Sequence, residues 1–235
     1  MNLLLFTDAD RIDASRITIT GERLEQLRAV SGAEVGRELR AGEVNGKLGI
    51  ATLDTLTSEK AVLTVTLSES PPAKLPAILV LALPRPKMLR RILRSVAEFG
   101  IAECHLVNSY RVEKSYWQTP VLAEESIRHY LLEGLAQGVD TVLPTVQQHK
   151  LFKPFVEDRL PQLVEARHAL VAHPQSQAPC PGDLPGETLI VVGPEGGFTE
   201  YEIDKLTAAG CEPVGLGPRI LRVENAVSRL LGKLF

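Results

Sequence analysis

The stretch that decides the fold is residues 188–226, TLIVVGPEGGFTEYEIDKLTAAGCEPVGLGPRILRVENA. It contains two short runs of β type, 189–192 and 213–216, and each ends in a glycine-bearing loop that leads into a helical pattern. Strand, loop and helix therefore occur twice in succession, which indicates an α/β fold. Because ligands bind at the carboxyl ends of strands in open α/β sheets, we expect the two loops to share one pocket.

The first loop, residues 193–197, reads GPEGG. Three glycines so close together are typical of backbone that turns tightly or approaches a ligand closely, although ordinary turn residues are the competing interpretation of any one pair. Thr199, followed three residues later by Glu202, predicts a capping box that begins a helix ending near Ala209.

The second loop, residues 215–219, reads GLGPR and opens a last helix with an apolar stripe. The stripe consists of Val223, Val227, Leu230, Leu231 and Leu234. Neither loop contains the Lys-Ser/Thr pair of a P-loop, and Ile220 stands where a dinucleotide fingerprint requires its third glycine. A nucleoside triphosphate or NAD is therefore disfavoured, and a nicotinamide-dependent oxidoreductase is supported only by the α/β pattern.

Together the two halves, GPEGGFTEYE at 193–202 and LGPRILRVENA at 216–226, resemble the signature of the RsmE family of ribosomal RNA methyltransferases. The family belongs to the knotted SPOUT superfamily. The resemblance implies a carboxy-terminal α/β domain with a deep trefoil knot that binds S-adenosylmethionine, a small amino-terminal PUA-like β-barrel, and a homodimer. It also implies methylation of N3 of a uridine in 16S ribosomal RNA, free or in the assembled small ribosomal subunit.

The resemblance further assigns site residues, because His173-Pro174 matches the family's third pocket loop. The residues expected to bind the methyl donor are Ala172, His173, Gly193, Glu195, Gly196, Leu216, Gly217, Ile220, Leu221 and Arg222. Arg222 is the catalytic candidate for stabilising a uracil carbonyl oxygen that gains charge as N3 loses its proton. Glu224 is expected either to orient Arg222 or to accept that proton, and a purely structural ion pair of the two is the competing interpretation.

The composition is that of an ordinary globular protein of one or two domains, with 44% hydrophobic and 23% charged residues among 235. Residues 1–6 are too short an apolar run for a signal peptide and no 18-residue apolar segment follows, so we expect a cytoplasmic protein without a membrane partner. Three cysteines without a C-x-x-C motif and five histidines without ligand spacing predict neither disulfides nor a metal site.

The chain is expected to divide at the proline-rich residues 70–76, which cannot continue a strand ladder. Residues 1–70 would form the RNA-binding PUA-like barrel and residues 71–235 the methyltransferase domain. Predicted strands of the first domain are 3–6, 16–20, 35–40, 47–53 and 61–67, with a short helix at 21–30. Asn45-Gly46 predicts a type I′ hairpin between two of these strands.

In the second domain, residues 77–83 form a continuous apolar run that is typical of a strand buried on both faces. Further predicted strands are 103–107, 141–146 and 169–172, and the predicted helices are 88–99, 121–137 and 151–159. With the two strands of the opening stretch, the pattern predicts a mostly parallel sheet of about six strands.

A net charge of −3 argues against nucleic acid unless cations gather on one face. Such a cluster exists on the helix after residue 83, where one stripe consists of Lys87, Arg90, Arg91 and Arg94. These cations occupy the first turns, where the helix dipole favours an anion, so an RNA phosphate is one interpretation and a solvated face is the other. Arg111 is a further candidate for contact with the RNA.

The sequence also departs from the family pattern. Ser95 stands three residues before Glu98, at a position where the family has lysine, and Asp140 stands where the family has arginine. The family's R-T-E-T reads Arg222-Val223-Glu224-Asn225 here. The alternative function is therefore an RNA- or ribosome-binding protein of the same fold with altered or lost methyltransferase activity.

Overall fold

Residues 2–29 and 33–235 are described by a computed structural model. The contacts within the chain define two units. The first consists of residues 1–73 with 131–143, and the second of residues 74–130 with 144–235. The first unit thus includes a segment that the sequence pattern places in the second domain.

The first unit contains a five-stranded sheet in the order β1-β3-β4-β5-β2. Its strands are β1 (Leu4–Phe6), β2 (Arg16–Ile19), β3 (Glu38–Glu43), β4 (Leu48–Leu56) and β5 (Ala61–Glu69). The β1–β3 pair is parallel and the other pairs are antiparallel. Alternate residues of the strands, such as Phe6, Ile17 and Leu63, are fully buried, because side chains of a strand point to its two faces in turn. The predicted helix is observed as α1 (Gly21–Ala29), and its expected last residue, Val30, lies outside the described residues.

Two expectations for this unit need correction. The predicted strand 35–40 begins later, at Glu38, because residues 34–37 form a turn in which Arg37 N–H donates to the Glu34 carbonyl at 3.0 Å. The hairpin at Asn45-Gly46 is confirmed, but the type I′ turn is wrong. That turn requires positive φ at both residues, and only Asn45 has it, at 62°.

The second unit contains a six-stranded parallel sheet in the order β11-β9-β10-β6-β7-β8. Its strands are β6 (Leu75–Ala82), β7 (Ile101–Val107), β8 (Thr145–His149), β9 (His168–Ala172), β10 (Thr188–Val192) and β11 (Glu212–Val214). Its helices are α2 (Pro86–Glu98), α3 (Glu124–Gly138), α4 (Phe152–Pro154), α5 (Leu160–Val164), α6 (Glu200–Ala208) and α7 (Val223–Leu234). Residues 131–138 of α3 are assigned to the first unit. The prediction of an α/β fold with a parallel sheet of about six strands is confirmed.

The core of the second unit lies on the central strands. All five residues of β10 are buried, as expected for a strand covered on both faces. Helix α2 buries Leu89, Ile92, Leu93, Val96 and Ala97 on one stripe, and α7 buries its apolar stripe within the same unit. The predicted apolar stripe of the last helix is therefore part of the core of this unit.

Two other elements are displaced from their predicted positions. The predicted strand 141–146 is observed at Thr145–His149, because Asp140 Oδ1 accepts the N–H groups of Thr141 and Val142 at 2.6 and 3.0 Å and holds them outside the sheet. The predicted helix 151–159 continues as α4, a π-helical turn at Phe155–Arg159, and α5.

Within the described ranges, no helix has both the length and the apolar character that a membrane crossing requires. The three cysteines, Cys104, Cys180 and Cys211, are buried free thiols. Burial raises the pKa of Cys104 and of Cys211 to about 12, so these two thiols stay protonated and unreactive at neutral pH.

Two glycine-to-alanine substitutions are expected to change stability in opposite directions. A Cβ at Gly49 would overlap the Thr66 carbonyl and lie 2.8 Å from Leu67 Cα, so Gly49→Ala should lower the free energy of unfolding by about 1–3 kcal/mol. Gly232 is an exposed residue of α7 with open space around it, so Gly232→Ala should raise that free energy by up to about 1 kcal/mol. Urea denaturation measures both, and equal effects would contradict the packing described for Gly49.

Candidate functional site

Three loops meet at the carboxyl edge of the parallel sheet. The ends of their strands are aligned, with Val214 of β11 opposite Ala172 of β9, and Val191 of β10 opposite Val171. The loop after β9 bonds to the last residue of β11, because His173 N–H donates to the Val214 carbonyl at 2.9 Å. The strand register therefore brings residues from three distant parts of the chain to one place.

A cavity of ≈ 300 Å³, termed the central cavity, lies among these loops. It is lined by Ala172, His173, Pro174, Val192, Gly193, Pro194, Glu195, Gly197, Phe198, Leu216, Gly217, Arg219, Ile220, Leu221, Arg222, Val223 and Ala226. The two glycine-bearing loops thus contribute to the same cavity.

Nine of the ten residues expected to bind a donor line this cavity. The exception is Gly196, whose carbonyl accepts a hydrogen bond from the Arg111 guanidinium; a Cβ placed on Gly196 would lie 3.1 Å from Arg111 Cδ. The expectation also missed several lining residues, among them Phe198 and Arg219. Both residues lie within the two motifs, at 193–202 and 216–226, so their positions in the motifs could have predicted that they line the cavity.

Gly217 has a geometry that favours glycine. Its φ of +107° is in the left-handed region, and the nearest atom to a Cβ placed there, Arg229 Nη2, is 3.8 Å away. Since Gly217 lines the cavity, a larger residue at this position would alter the cavity wall. In the first loop only Gly197 has positive φ, at 70°, and Gly193 instead approaches the Phe198 ring closely.

The first loop is held at its end by Glu202, which is 3% exposed. Its Oε2 accepts the Thr199 N–H at 2.8 Å and the Thr199 hydroxyl at 3.0 Å, which completes the predicted capping box of α6. Its Oε1 accepts the Tyr110 N–H at 2.7 Å, from the loop after β7. One buried carboxylate therefore fixes two loops and begins a helix.

Glu195, in the middle of the first loop, is bonded to the start of α2. Its Oε1 accepts the N–H of Arg85, the N-cap residue, at 3.0 Å. The carboxylate thus supplies the negative charge that the helix dipole favours at this end. The first turns of α2 therefore already have an anion beside them.

The two catalytic candidates are not bonded to one another. Arg222 is the exposed N-cap residue of α7 and lines the central cavity, and its side chain has no hydrogen bond or ion pair with residues 2–29 or 33–235. Glu224 is not among the lining residues. Its Oε1 lies 3.9 Å from Arg91 Nη1, and its Oε2 is buried with no hydrogen-bond partner in the described part of the chain.

The candidate RNA-contact residues differ in their freedom. Lys87, Arg90 and Arg91 are exposed on α2. Arg94 is half-buried, lies 4.8 Å from the centroid of the Tyr130 ring and donates to the Arg90 carbonyl at 3.2 Å. These contacts fix Arg94 on the helix, whereas Lys87 and Arg90 face solvent and the exposed Arg91 is paired with Glu224.

A buried polar cluster joins β7 to β8. His105 Nδ1 lies 2.9 Å from His149 Nε2, and His105 Nε2 lies 2.8 Å from Glu103 Oε1. Burial lowers the pKa of His105 to about 4, so the ring is neutral at physiological pH. None of these residues lines the central cavity, and the described residues contain no group of three or more His, Cys, Asp or Glu side chains suited to a metal ion.

Comparison with known proteins identifies the family. A family model described as an RNA methyltransferase domain matches residues 71–234. Ribosomal RNA small subunit methyltransferase E of Treponema pallidum is 31% identical over 233 residues, which cover 96% of this chain and 87% of that protein. The chain belongs to the ribosomal RNA small subunit methyltransferase E family. The expectation of an RNA methyltransferase of this family is confirmed.

Two solved structures share the fold of this family member. Ribosomal RNA small subunit methyltransferase E from Neisseria gonorrhoeae, bound to S-adenosylmethionine, aligns with a TM-score of 0.74 at 19% identity and covers 98% of this chain and 94% of its own. A methyltransferase from Legionella pneumophila in complex with the same cofactor aligns with a TM-score of 0.76 at 20% identity, covering 98% and 95%.

One departure from the family pattern has a structural explanation. Asp140 is 3% exposed and accepts backbone N–H groups of the two residues that follow it, so its carboxylate serves local structure rather than an exposed surface. Val223 is buried as the first residue of α7, and Asn225 is exposed. Ser95 is half-buried on α2, and nothing in the structure explains its replacement of lysine.

Loss of the Glu202 carboxylate should destabilise the protein. Glu202→Ala leaves the N–H groups of Thr199 and Tyr110 without their partner, and we expect the free energy of unfolding to fall by about 2–3 kcal/mol. Glu200→Ala is the matched control, since Glu200 is exposed in the same helical turn, and its effect should stay within about 0.5 kcal/mol. Chemical denaturation of both variants is the measurement, and similar values would show that Glu202 does not fix the loops.

Proposed function

We propose that the protein transfers a methyl group from S-adenosylmethionine to N3 of a uridine in 16S ribosomal RNA. The observation that carries this proposal is the central cavity, where nine of the ten residues assigned from the RsmE signature come together. Membership of the family supports the reaction class, and the uridine N3 position follows from the resemblance of the two motifs.

The residues of the central cavity fit S-adenosylmethionine, which the relatives from Neisseria gonorrhoeae and Legionella pneumophila bind. The volume of ≈ 300 Å³ is at the lower end of the range of small-molecule pockets, about 300–1,000 Å³. Backbone N–H and C=O groups of the two loops would hold the polar parts, and Leu216, Ile220 and Leu221 would enclose the adenine. When bound, the cofactor supplies an electrophilic methyl group on a sulfonium centre.

Arg222 is the residue we propose to act on the uracil. N3 of uridine is a weakly acidic imide nitrogen, so its attack requires the proton to leave and the adjacent carbonyl oxygens to carry charge. A guanidinium at the cavity rim that has no partner among the described residues can donate to such an oxygen without first breaking an ion pair with them. The competing interpretation, an ion pair between Arg222 and Glu224, has no counterpart among the observed contacts.

Glu224 remains a candidate for orienting Arg222 or for accepting the N3 proton. Its Oε2 is free of hydrogen bonds to the described residues, so it has unused accepting capacity. Its Oε1 faces Arg91, which connects the start of α7 to the cationic face of α2. We propose that Lys87, Arg90, Arg91, Arg94 and Arg111 contact phosphates of the RNA.

We also propose the larger assembly that the resemblance implies. It comprises a PUA-like barrel in residues 1–70, a trefoil knot in residues 71–235, and a homodimer that acts on the small ribosomal subunit in the cytoplasm. The five-stranded sheet and the six-stranded parallel sheet support the two domain assignments.

A bulky residue at Gly217 should exclude the donor. Gly217→Trp replaces a cavity-lining glycine of positive φ by a bulky residue, and we expect binding of S-adenosylmethionine to be lost in isothermal titration calorimetry. Gly186→Trp is the matched control, because Gly186 has a similar φ of +87°, open space around it and no contact with the cavity. Equal donor binding by wild type and Gly217→Trp would contradict the assignment of the cavity.

Removal of the Arg222 guanidinium should slow chemistry rather than donor binding. We expect Arg222→Ala to keep the donor affinity within a few-fold of wild type and to reduce methyl transfer to small-subunit RNA by about a hundredfold. Transfer is measured with tritiated donor. Arg219→Ala, which removes a neighbouring cation from the same cavity wall, should have a smaller effect, and equal losses would indicate a general charge effect.

The substrate itself can be identified in the cell. Nucleoside mass spectrometry of 16S ribosomal RNA should show that 3-methyluridine is lost from a strain lacking the gene and restored by a plasmid copy. The Arg222→Ala copy should fail to restore it. An unchanged nucleoside profile, together with retained RNA binding, would favour the alternative of a binding protein that has lost its activity.

A further inference from the structure

A second cavity in the same unit, of ≈ 590 Å³, is not explained by donor binding. We term it the aromatic cavity. It is lined by Asn108, Ser109, Tyr110, Val112, Lys114, Trp117, Phe152, Lys153, Thr199, Tyr201 and Glu202. Four of these residues are aromatic and two are lysines, which is an unusual combination in a protein with only 5% aromatic residues.

Trp117 is held in a fixed orientation in the aromatic cavity. Its Nε1–H donates to Asn108 Oδ1 at 2.9 Å, and both residues line the cavity. Tyr110 and Tyr201 are 84% and 56% exposed, so their rings face solvent rather than the core. Trp117 itself is half-buried, and an oriented ring that is only partly covered is suited to stacking against a flat ligand.

The polar groups of the cavity favour an anionic, hydrogen-bonding ligand. Lys114 and Lys153 are exposed at its rim. The carboxylate of Glu202 is already engaged by three donors, so it has little capacity left to bind a cation. Ser109 is 3% exposed, and its hydroxyl has no hydrogen-bond partner within the described residues.

The aromatic cavity lies beside the central cavity. Phe152 lines the former and Phe198 lines the latter, and the centroids of the two rings are 6.3 Å apart. Thr199, the next residue after Phe198, also lines the aromatic cavity. A ligand in either cavity is therefore separated from the other by one pair of contacting rings.

We propose that the aromatic cavity binds one unstacked nucleobase of the RNA substrate, close in the chain to the nucleotide that is methylated. The base stacks on Trp117, and Lys114 and Lys153 neutralise the flanking phosphates. This inference rests on the proposed function, because it assigns the cavity to the same RNA. A second base held beside the target nucleotide would fix the position of the RNA strand relative to the central cavity.

Trp117 is the only tryptophan of the chain, so its fluorescence reports directly on this cavity. Titration of the full-length protein with a ten-nucleotide single-stranded RNA, with excitation selective for tryptophan, should give a saturable decrease in emission. S-adenosylmethionine alone should not produce this decrease. Quenching by the cofactor but not by RNA would assign the cavity to the donor and overturn the inference.

Trp117→Ala should weaken RNA binding by about tenfold, the scale expected for the loss of one stacked base. Its affinity for S-adenosylmethionine should be unchanged. Trp117→Phe keeps a ring and should retain most of the affinity for RNA. This variant also tests the inference if Trp117→Ala does not fold. Tyr116→Ala is the matched control, since Tyr116 is a half-buried neighbour outside the cavity lining.

The remaining outcomes separate the inference from the proposed function. If RNA binds without quenching Trp117, and Trp117→Ala binds RNA as tightly as wild type, the inference is overturned. Methyl transfer by the wild type would still support the proposed function in that case. Quenching that depends on protein concentration and not on RNA would indicate that a second copy of the chain covers the cavity. Quenching by RNA without any 3-methyluridine formation would sustain the inference and contradict the proposed function.

Discussion

The parallel hydrogen bonding of β9, β10, β11 and β6 is the constraint on which the site depends. Because β10 is buried on both faces, its backbone N–H and C=O groups must pair with neighbouring strands, and they do so with β6 and β9 in one direction. All the following loops then leave at one edge of the sheet. The central cavity is a direct consequence of this alignment.

Two acidic residues of the glycine-rich stretch hold the edge in place. Glu195 bonds to the start of α2, and Glu202 bonds to its own helix and to the loop after β7. Both use charged acceptors on backbone N–H groups, which are among the stronger hydrogen bonds in proteins. These bonds fix the loops before a ligand binds, which lowers the ordering cost of binding.

The distribution of charge is uneven in this acidic protein, which would allow one face to meet the RNA of the proposed function. Lys87 and Arg90 of α2 face solvent, and two lysines stand at the rim of the aromatic cavity, although acidic residues outnumber basic ones, 29 to 26. Many of the acidic groups are engaged in local structure, as Asp140 and Glu202 are through backbone N–H groups. A local excess of positive charge is sufficient to attract phosphates within a Debye length.

The sequence by itself determined the α/β class, most strands and helices, the capping box at Thr199 and Glu202, and nine of the residues that line the central cavity. These features depend on local periodicity and on motifs in which neighbours in sequence act together. Tertiary structure alone decided the partners of Glu195, Glu224 and Tyr110, and it assembled the aromatic cavity from three separate segments. The physical reason is distance along the chain: Glu202 and Tyr110 are 92 residues apart, and only strand register and packing bring them into contact.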